Sequence, residues 1–167
     1  MANVSLSIKT NGIFALLGRN GAGKTTLIRI LATELAPSSG SASINGMDVV
    51  NDTKEIREQI AVMPQEARLV PWLTPRQTIY SYLLYRGFSR SEAASKVVGA
   101  LAKLGLGKYE NTLSRHLSGG VKRRVLMTMV LATDAKILFV DEPTMGLDLV
   151  IRADLWTTLN ERTRLGF

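Results

Sequence analysis

Apolar and polar positions follow different periods along this chain, and the changes of period mark its elements. Val4-Ser5-Leu6-Ser7-Ile8 alternates with period two, as a half-buried strand does. Asn11-Gly12 then predicts a hairpin turn, because both residues tolerate positive φ. The unbroken apolar run Ile13-Phe14-Ala15-Leu16-Leu17 predicts a second strand, and a helix is expected from Lys24 to Leu35. Beyond the turn at Pro37-Ser38-Ser39-Gly40, Asn45-Gly46 predicts another hairpin, joining Ala42–Ile44 to Met47–Val50. Thr53–Gln59 reads as a short helix, and Ile60-Ala61-Val62-Met63 as a buried strand ending at Pro64-Gln65.

The texture then turns helical. Thr74-Pro75-Arg76-Gln77 is a capping box with proline at the first helical position. Ser89-Arg90-Ser91-Glu92 is a second box, whose helix is expected to end at Gly105. Leu117-Ser118-Gly119-Gly120 opens another helix, Val121 to Leu131. Lys136-Ile137-Leu138-Phe139-Val140-Asp141 predicts a parallel strand covered on both faces and ending in a carboxylate. A last helix is expected from Leu149 to Arg164, stopping at Gly166. Residues 66 to 117 thus form a mainly helical insertion. Counting the Val121 helix with it gives a helical subdomain of 66–131 and an α/β core of 1–65 and 132–167. Trp72 is expected to pack against the start of the Thr74 helix, with an exposed docking aromatic as the alternative.

Composition narrows the class. The chain has 167 residues, the length of one domain, and a 46% hydrophobic fraction that suits a soluble globular core. No apolar run approaches the roughly 18 residues that cross a bilayer, and no signal-peptide pattern opens the chain. The absence of cysteine excludes disulfides and thiolate metal sites. Net charge is +7, from 21 Lys+Arg against 14 Asp+Glu. A solvated basic surface explains it best, and a membrane-apposed surface comes second. Nucleic acid is not expected as a partner, since aromatics are only 6% and no basic run is interleaved with them.

The stretch with the most chemistry is Gly18-Arg19-Asn20-Gly21-Ala22-Gly23-Lys24-Thr25-Thr26. Set between an apolar run and a helix, it has the spacing of the phosphate-binding P-loop. Its glycines let the backbone curl so that successive N–H groups, from Asn20 through Thr26, face phosphate oxygens. The helix N-terminus adds a partial positive charge there. Lys24 can reach the outer phosphates, and the Thr25 hydroxyl can bind the Mg²⁺ that bridges them. The expected fold class is α/β, a P-loop NTPase core with antiparallel β hairpins and a helical insertion.

Two further stretches gain meaning beside that loop. At the tip of the late strand, Asp141 can hold Mg²⁺ through water and Glu142 can orient or deprotonate an attacking water. Ser118-Gly119-Gly120 reads equally as an ordinary N-cap or as a second anion site at a helix N-terminus.

Taken together, these pieces resemble the nucleotide-binding domain of an ABC (ATP-binding cassette) protein. Gly18–Thr26 resembles Walker A, Gln65 the Q-loop glutamine, and Leu117-Ser118-Gly119-Gly120-Val121 the signature motif. Ile137-Leu138-Phe139-Val140-Asp141-Glu142-Pro143 resembles Walker B with its catalytic glutamate, and Met145-Gly146-Leu147-Asp148 the D-loop. The five motifs stand in the family's order. The resemblance implies ATP and Mg²⁺ as cofactors and a head-to-tail sandwich with a second, identical or different, ABC domain. Each ATP would lie between one P-loop and the partner's Ser118-Gly119-Gly120. Glu142 would serve as base, Gln65 would sense Mg²⁺ and water, and Asp148 would run along the dimer interface. A transmembrane permease subunit would dock on the cleft formed by the helical insertion and Q-loop, placing the chain in the cytoplasm on the inner face of the cell membrane. The stretch from Leu117 to Arg124 looks most like drug- and polysaccharide-exporter ATPases, and Arg123 and Arg124 read equally as a solvated face.

Three departures from the family's pattern bear on activity. Val121 stands where the signature has glutamine, which could reach back to the helix cap as valine cannot; we expect it to be tolerated, and in a homodimeric sandwich to face both nucleotides. No adenine-stacking aromatic precedes the first strand. The only histidine, His116, precedes the signature and does not match the family's switch histidine, so a surface position is expected for it. These departures read as a chain truncated at the C-terminus and at the N-terminus, with hydrolysis by the short chain alone left open. The alternatives are a truncated nucleotide-binding pseudoenzyme and a soluble ABC ATPase acting on ribosomes or chromosomes. A P-loop GTPase is disfavoured, because no Asn-Lys-x-Asp motif occurs.

Overall fold

The helices that begin at Pro75, Arg90 and Gly119 start at a side chain that caps them, and the first two stop just before a glycine that turns left-handed. The computed structural model describes residues 4–8, 12–63 and 67–141, and beyond them 149, 152, 153, 156, 157, 159 and 160. The order of elements is α1 (Lys24–Leu31), β1 (Ser43–Ile44), β2 (Met47–Asp48), α2 (Thr53–Gln59), β3 (Ile60–Met63), α3 (Pro75–Tyr85), α4 (Arg90–Lys103), α5 (Gly119–Leu131) and β4 (Ile137–Val140). Both expected capping boxes form. The side chains of Thr74 and Ser89 accept from the Gln77 and Glu92 amides, and those residues' side chains accept from the cap amides in return.

β1 and β2 pair antiparallel through Asn45 and Gly46, whose φ angles of 51° and 81° are those of a type I′ turn. β3 and β4 pair parallel, Ile60 opposite Ile137 through Met63 opposite Val140. The strand expected at Ile13–Leu17 is not formed: residues 13–19 carry no ladder, and Leu17 is 88% exposed. A strand exists through its hydrogen-bonded neighbour, and among the described residues none pairs with this segment. Val4–Ile8 is likewise exposed and unpaired in any ladder, and Asn11 of its turn lies outside the described residues. β4, expected to be covered on both faces, is only half-buried along its length. Of the expected final helix, the described residues 149, 152, 153, 156, 157, 159 and 160 are helical.

α1 ends at Leu31 rather than Leu35, because Thr33 turns left-handed at φ 59° and breaks the helical repeat. Arg57 holds that turn in place, its Nε donating to Thr33 Oγ1 (2.8 Å) and its Nη2 to Thr33 O (2.9 Å).

Three cores result. Ile79 and Leu83 of α3, Ala93, Val97 and Leu101 of α4, and Val121 and Val125 of α5 bury against one another, each set spaced by four as one helix face requires. The second half of α5 turns Leu126, Met127, Val130 and Leu131 onto Ala61 and Met63 of β3. A third core joins Ala32, Ile44, Val49, Ile56 and Ile60. Burying one such aliphatic side chain is worth about 1.5–3 kcal/mol, so α5, buried on two faces, is the largest single contributor to this packing. Arg86 ties the end of α3 to the α2–β3 junction, its Nη2 donating to Arg57 O (3.0 Å) and Ile60 O (2.8 Å). Trp72 does not pack at the start of α3; it stands 69% exposed.

The Ser89 hydroxyl and then its amide hold the Glu92 carboxyl below its ordinary range against desolvation, with Lys96 adding a smaller effect in the same direction as Ser89. Replacing Ser89 by Ala is expected to cost about 1 kcal/mol in urea unfolding. Because the Glu92 value is depressed on folding, the advantage of wild type over Glu92→Gln is present at neutral pH. It should fade as pH falls through the folded-state value; a difference that grew on acidification would contradict the box.

Candidate nucleotide site

The loop from Gly18 to Gly23 is shaped by two left-handed glycines, Gly21 at φ 80° and Gly23 at φ 90°, the second serving as N-cap of α1. Few L-residues take such angles, so the residue types follow from the curl. The Ala22 amide closes the loop on Arg19 O (3.2 Å), and the Leu27 amide starts the helix on Gly23 O (2.9 Å). Lys24 folds back over this turn, its Nζ donating to Gly18 O (2.8 Å) and Arg19 O (2.9 Å). Its ammonium is therefore held beside the loop by the loop's own carbonyls.

Thr25, in the first turn of α1, donates its hydroxyl to Asp141 Oδ2 at 2.7 Å. The two residues are 116 positions apart in sequence, and the strands bring them together. Asp141 follows β4, its amide donates to Met63 O at the end of β3 (3.1 Å), and the residue is only 8% exposed. A hydroxyl and a carboxylate so placed are hard oxygen donors of the kind Mg²⁺ takes alongside phosphate oxygens. Among the described residues no cluster of three or more His, Cys, Asp or Glu could hold a metal by itself.

Of the other expected site residues, Asn20, Gly21, Ala22 and Thr26 are exposed along the loop and α1, and Gly23 and Lys24 are half-buried. Gln65 and Glu142 lie outside the described residues, as does the stretch Met145–Asp148. Ser118 caps α5, its hydroxyl accepting from the Val121 amide at 3.4 Å, with Ser118 and Gly119 exposed. Among the described residues no hydrogen bond joins Ser118, Gly119 or Gly120 to the loop around Lys24.

Two expectations about α5 are corrected. Val121 does not face a nucleotide; it is buried in the helical core beside Val125 and Leu117, where an apolar side chain belongs. Arg123 and Arg124 do not form a solvated face. Arg123 is 9% exposed and its Nη2 donates to Asp141 O (3.0 Å), while Arg124 Nη1 reaches Leu104 O (3.4 Å). A signal for Arg123 was present in the sequence: it lies four and seven residues before Met127 and Val130, on a face that an amphipathic helix buries. His116 is exposed on the 3₁₀ turn Ser114–His116, accepting from Arg115 Nε (3.0 Å), as a surface position requires.

A glycine-rich turn, its lysine, a helix-borne threonine and a strand-tip aspartate together define a P-loop nucleotide-binding domain of α/β architecture. The family model described as ABC transporter matches residues 1–145, and this chain belongs to that family, as one of its ATP-binding domains. It is 37% identical over 161 residues to ABC transporter A family member 7 of Dictyostelium discoideum, covering 96% of this chain and 19% of that protein. It is 35% identical over 160 residues to the phospholipid-transporting ATPase ABCA3 of Homo sapiens, covering 96% of this chain and 9% of that protein. The chain thus spans less than a fifth of the length of these curated relatives. A solved structure of the ATP binding subunit of an ABC transporter superposes with a TM-score of 0.77 at 27% identity, over 89% of this chain and 62% of that one. Among the described residues, no helix is long and apolar enough to cross a membrane.

Gly21 has open space where a Cβ would stand, so Gly21→Ala isolates the backbone strain of φ 80°. We expect it to cost about 1–2 kcal/mol. Gly12→Ala, also in open space but without a left-handed φ, should stay within about 0.5 kcal/mol in the same denaturation experiment.

Proposed function

We propose that this chain binds Mg-ATP at the loop around Lys24 and hydrolyses it as the motor part of a membrane transporter of export type. The observation that carries the reading is the Thr25–Asp141 hydrogen bond, which joins the helix after the loop to the strand tip and supports assigning both residues to magnesium. The loop amides from Asn20 to Thr26 and the α1 N-terminus would hold the phosphate oxygens, and the Lys24 ammonium would exchange its loop carbonyls for the outer phosphates. Bound there, Mg²⁺ supplies charge neutralisation on the phosphates undergoing transfer. Thr25 and Asp141 are the residues that would hold it, with Gln65 completing the set. Glu142 would take the proton of the attacking water.

Two such domains would pair head to tail, Ser118, Gly119 and Gly120 of one closing over the nucleotide of the other; the Ser118 cap is free to do so because its end of α5 is exposed. A transmembrane permease would receive the stroke on the membrane's inner face. The division into a core of 1–65 and 132–167 and a helical subdomain of 66–131 is part of this proposal, supported by the separate packing of α3 and α4 with the first half of α5. A lipid-class cargo for the whole protein is favoured by the likeness to ABCA3, which is named a phospholipid transporter.

The test is Mg-ATP turnover per chain across a range of protein concentrations. Wild type should rise with concentration as sites assemble between copies. Lys24→Ala should be inactive, and Glu142→Gln should bind Mg-ATP while losing a factor of about 10²–10⁴ in turnover. Equal, flat rates for wild type and Lys24→Ala would sink the motor reading.

A further inference from the structure

We propose that Arg123 is a positioning residue that holds the Asp141 end of β4, and with it the Thr25–Asp141 pair, in the geometry that receives magnesium. The inference rests on the nucleotide reading above.

Asp141 is gripped at three atoms by three different elements. Its amide donates to Met63 O on β3 (3.1 Å), its carboxylate accepts from Thr25 on α1 (2.7 Å), and its carbonyl accepts from Arg123 Nη2 on α5 (3.0 Å). The third is supplied by a side chain that crosses from the middle of the helix Ser118 caps.

Arginine is costly to bury, and here it sits 9% exposed among the apolar residues that α5 turns to the sheet. Its neighbour Arg124 points elsewhere, to Leu104 O, so the pair is not a simple basic patch. The carbonyl that Arg123 holds belongs to the peptide unit leading into residue 142, so fixing its plane fixes the direction in which the chain leaves β4. A planar guanidinium can set such an orientation where a flexible ammonium cannot. Without the grip, Asp141 would remain tied to β3 and to Thr25 but could rotate about those ties, and its free carboxylate oxygen would lose its aim.

The experiment compares equilibrium affinity for ATP in excess Mg²⁺ and in EDTA for wild type, Arg123→Met and Arg123→Lys, using the full chain. Methionine fills the buried volume without a donor, and lysine keeps one. We expect Arg123→Met to match wild type within twofold in EDTA, to lose fivefold or more of the affinity that Mg²⁺ adds, and to be partly rescued by lysine. An unchanged magnesium gain in Arg123→Met would overturn the proposal while leaving nucleotide binding intact. Equal losses with and without Mg²⁺ would overturn it in favour of a purely structural role. If wild type bound no ATP, the nucleotide reading itself would fall. Should Arg123→Met not fold, Arg123→Gln takes its place in the same comparison, with the same outcomes deciding.

Discussion

Parallel strands cannot be joined by a tight turn, and the pairing of β3 with β4 therefore obliges the chain to make a long crossover between them. That crossover is where α3, α4 and α5 are made. The same pairing carries Asp141 to the edge at which β3 ends, one residue past the Met63–Val140 register. The meeting of the two halves of the candidate site follows from this constraint. Thr25 meets a carboxylate only because β4 delivers it there, and the helices stand where they do because the two strands must be bridged. Open α/β sheets place ligands beyond the carboxyl ends of their strands, and Asp141 lies just past that end of β4.

Holding the crossover against the sheet falls largely to α5. Its first turns present Val121 and Val125 to the helical core, and its last present Leu126, Met127, Val130 and Leu131 to the strands. A helix buried on two faces gains little from amphipathic patterning and much from contact with both neighbours. The valine at position 121 makes sense in this light. Glutamine there could serve the cap, but valine serves the core, and Ser118 caps the Val121 amide without help.

The parts of the structure that were legible in advance are those settled within a few residues. The two capping boxes, the Asn45-Gly46 turn and the Thr53–Gln59 helix depend on neighbours in sequence, and each formed where expected; the Ile60–Met63 strand formed too, although its ladder comes from the distant β4. Failures came where a distant partner decides. Leu17 and its apolar neighbours could read as a strand but have no ladder to join, and Trp72 had no hydrophobic surface waiting for it. α1 stopped early because Thr33 is captured by Arg57 from another helix. At the site, the loop glycines, Lys24, Thr25 and Asp141 could be named from residue type and spacing, whereas Arg123 was marked only by its spacing from Met127 and Val130, a signal that its charge, which argues for solvent, masks.

Two arginines cross from the helical layer to the strands, and they do so at opposite ends. Arg86 grips Ile60 O where β3 begins, and Arg123 grips Asp141 O just past the end of β4. Two fixed points define a line. Sliding the helices along the strands would have to break one of these charged hydrogen bonds. The helical layer is therefore pinned at both ends of the strand pair, and the helix that Ser118 caps is fixed in register with the strand tip that bears Asp141.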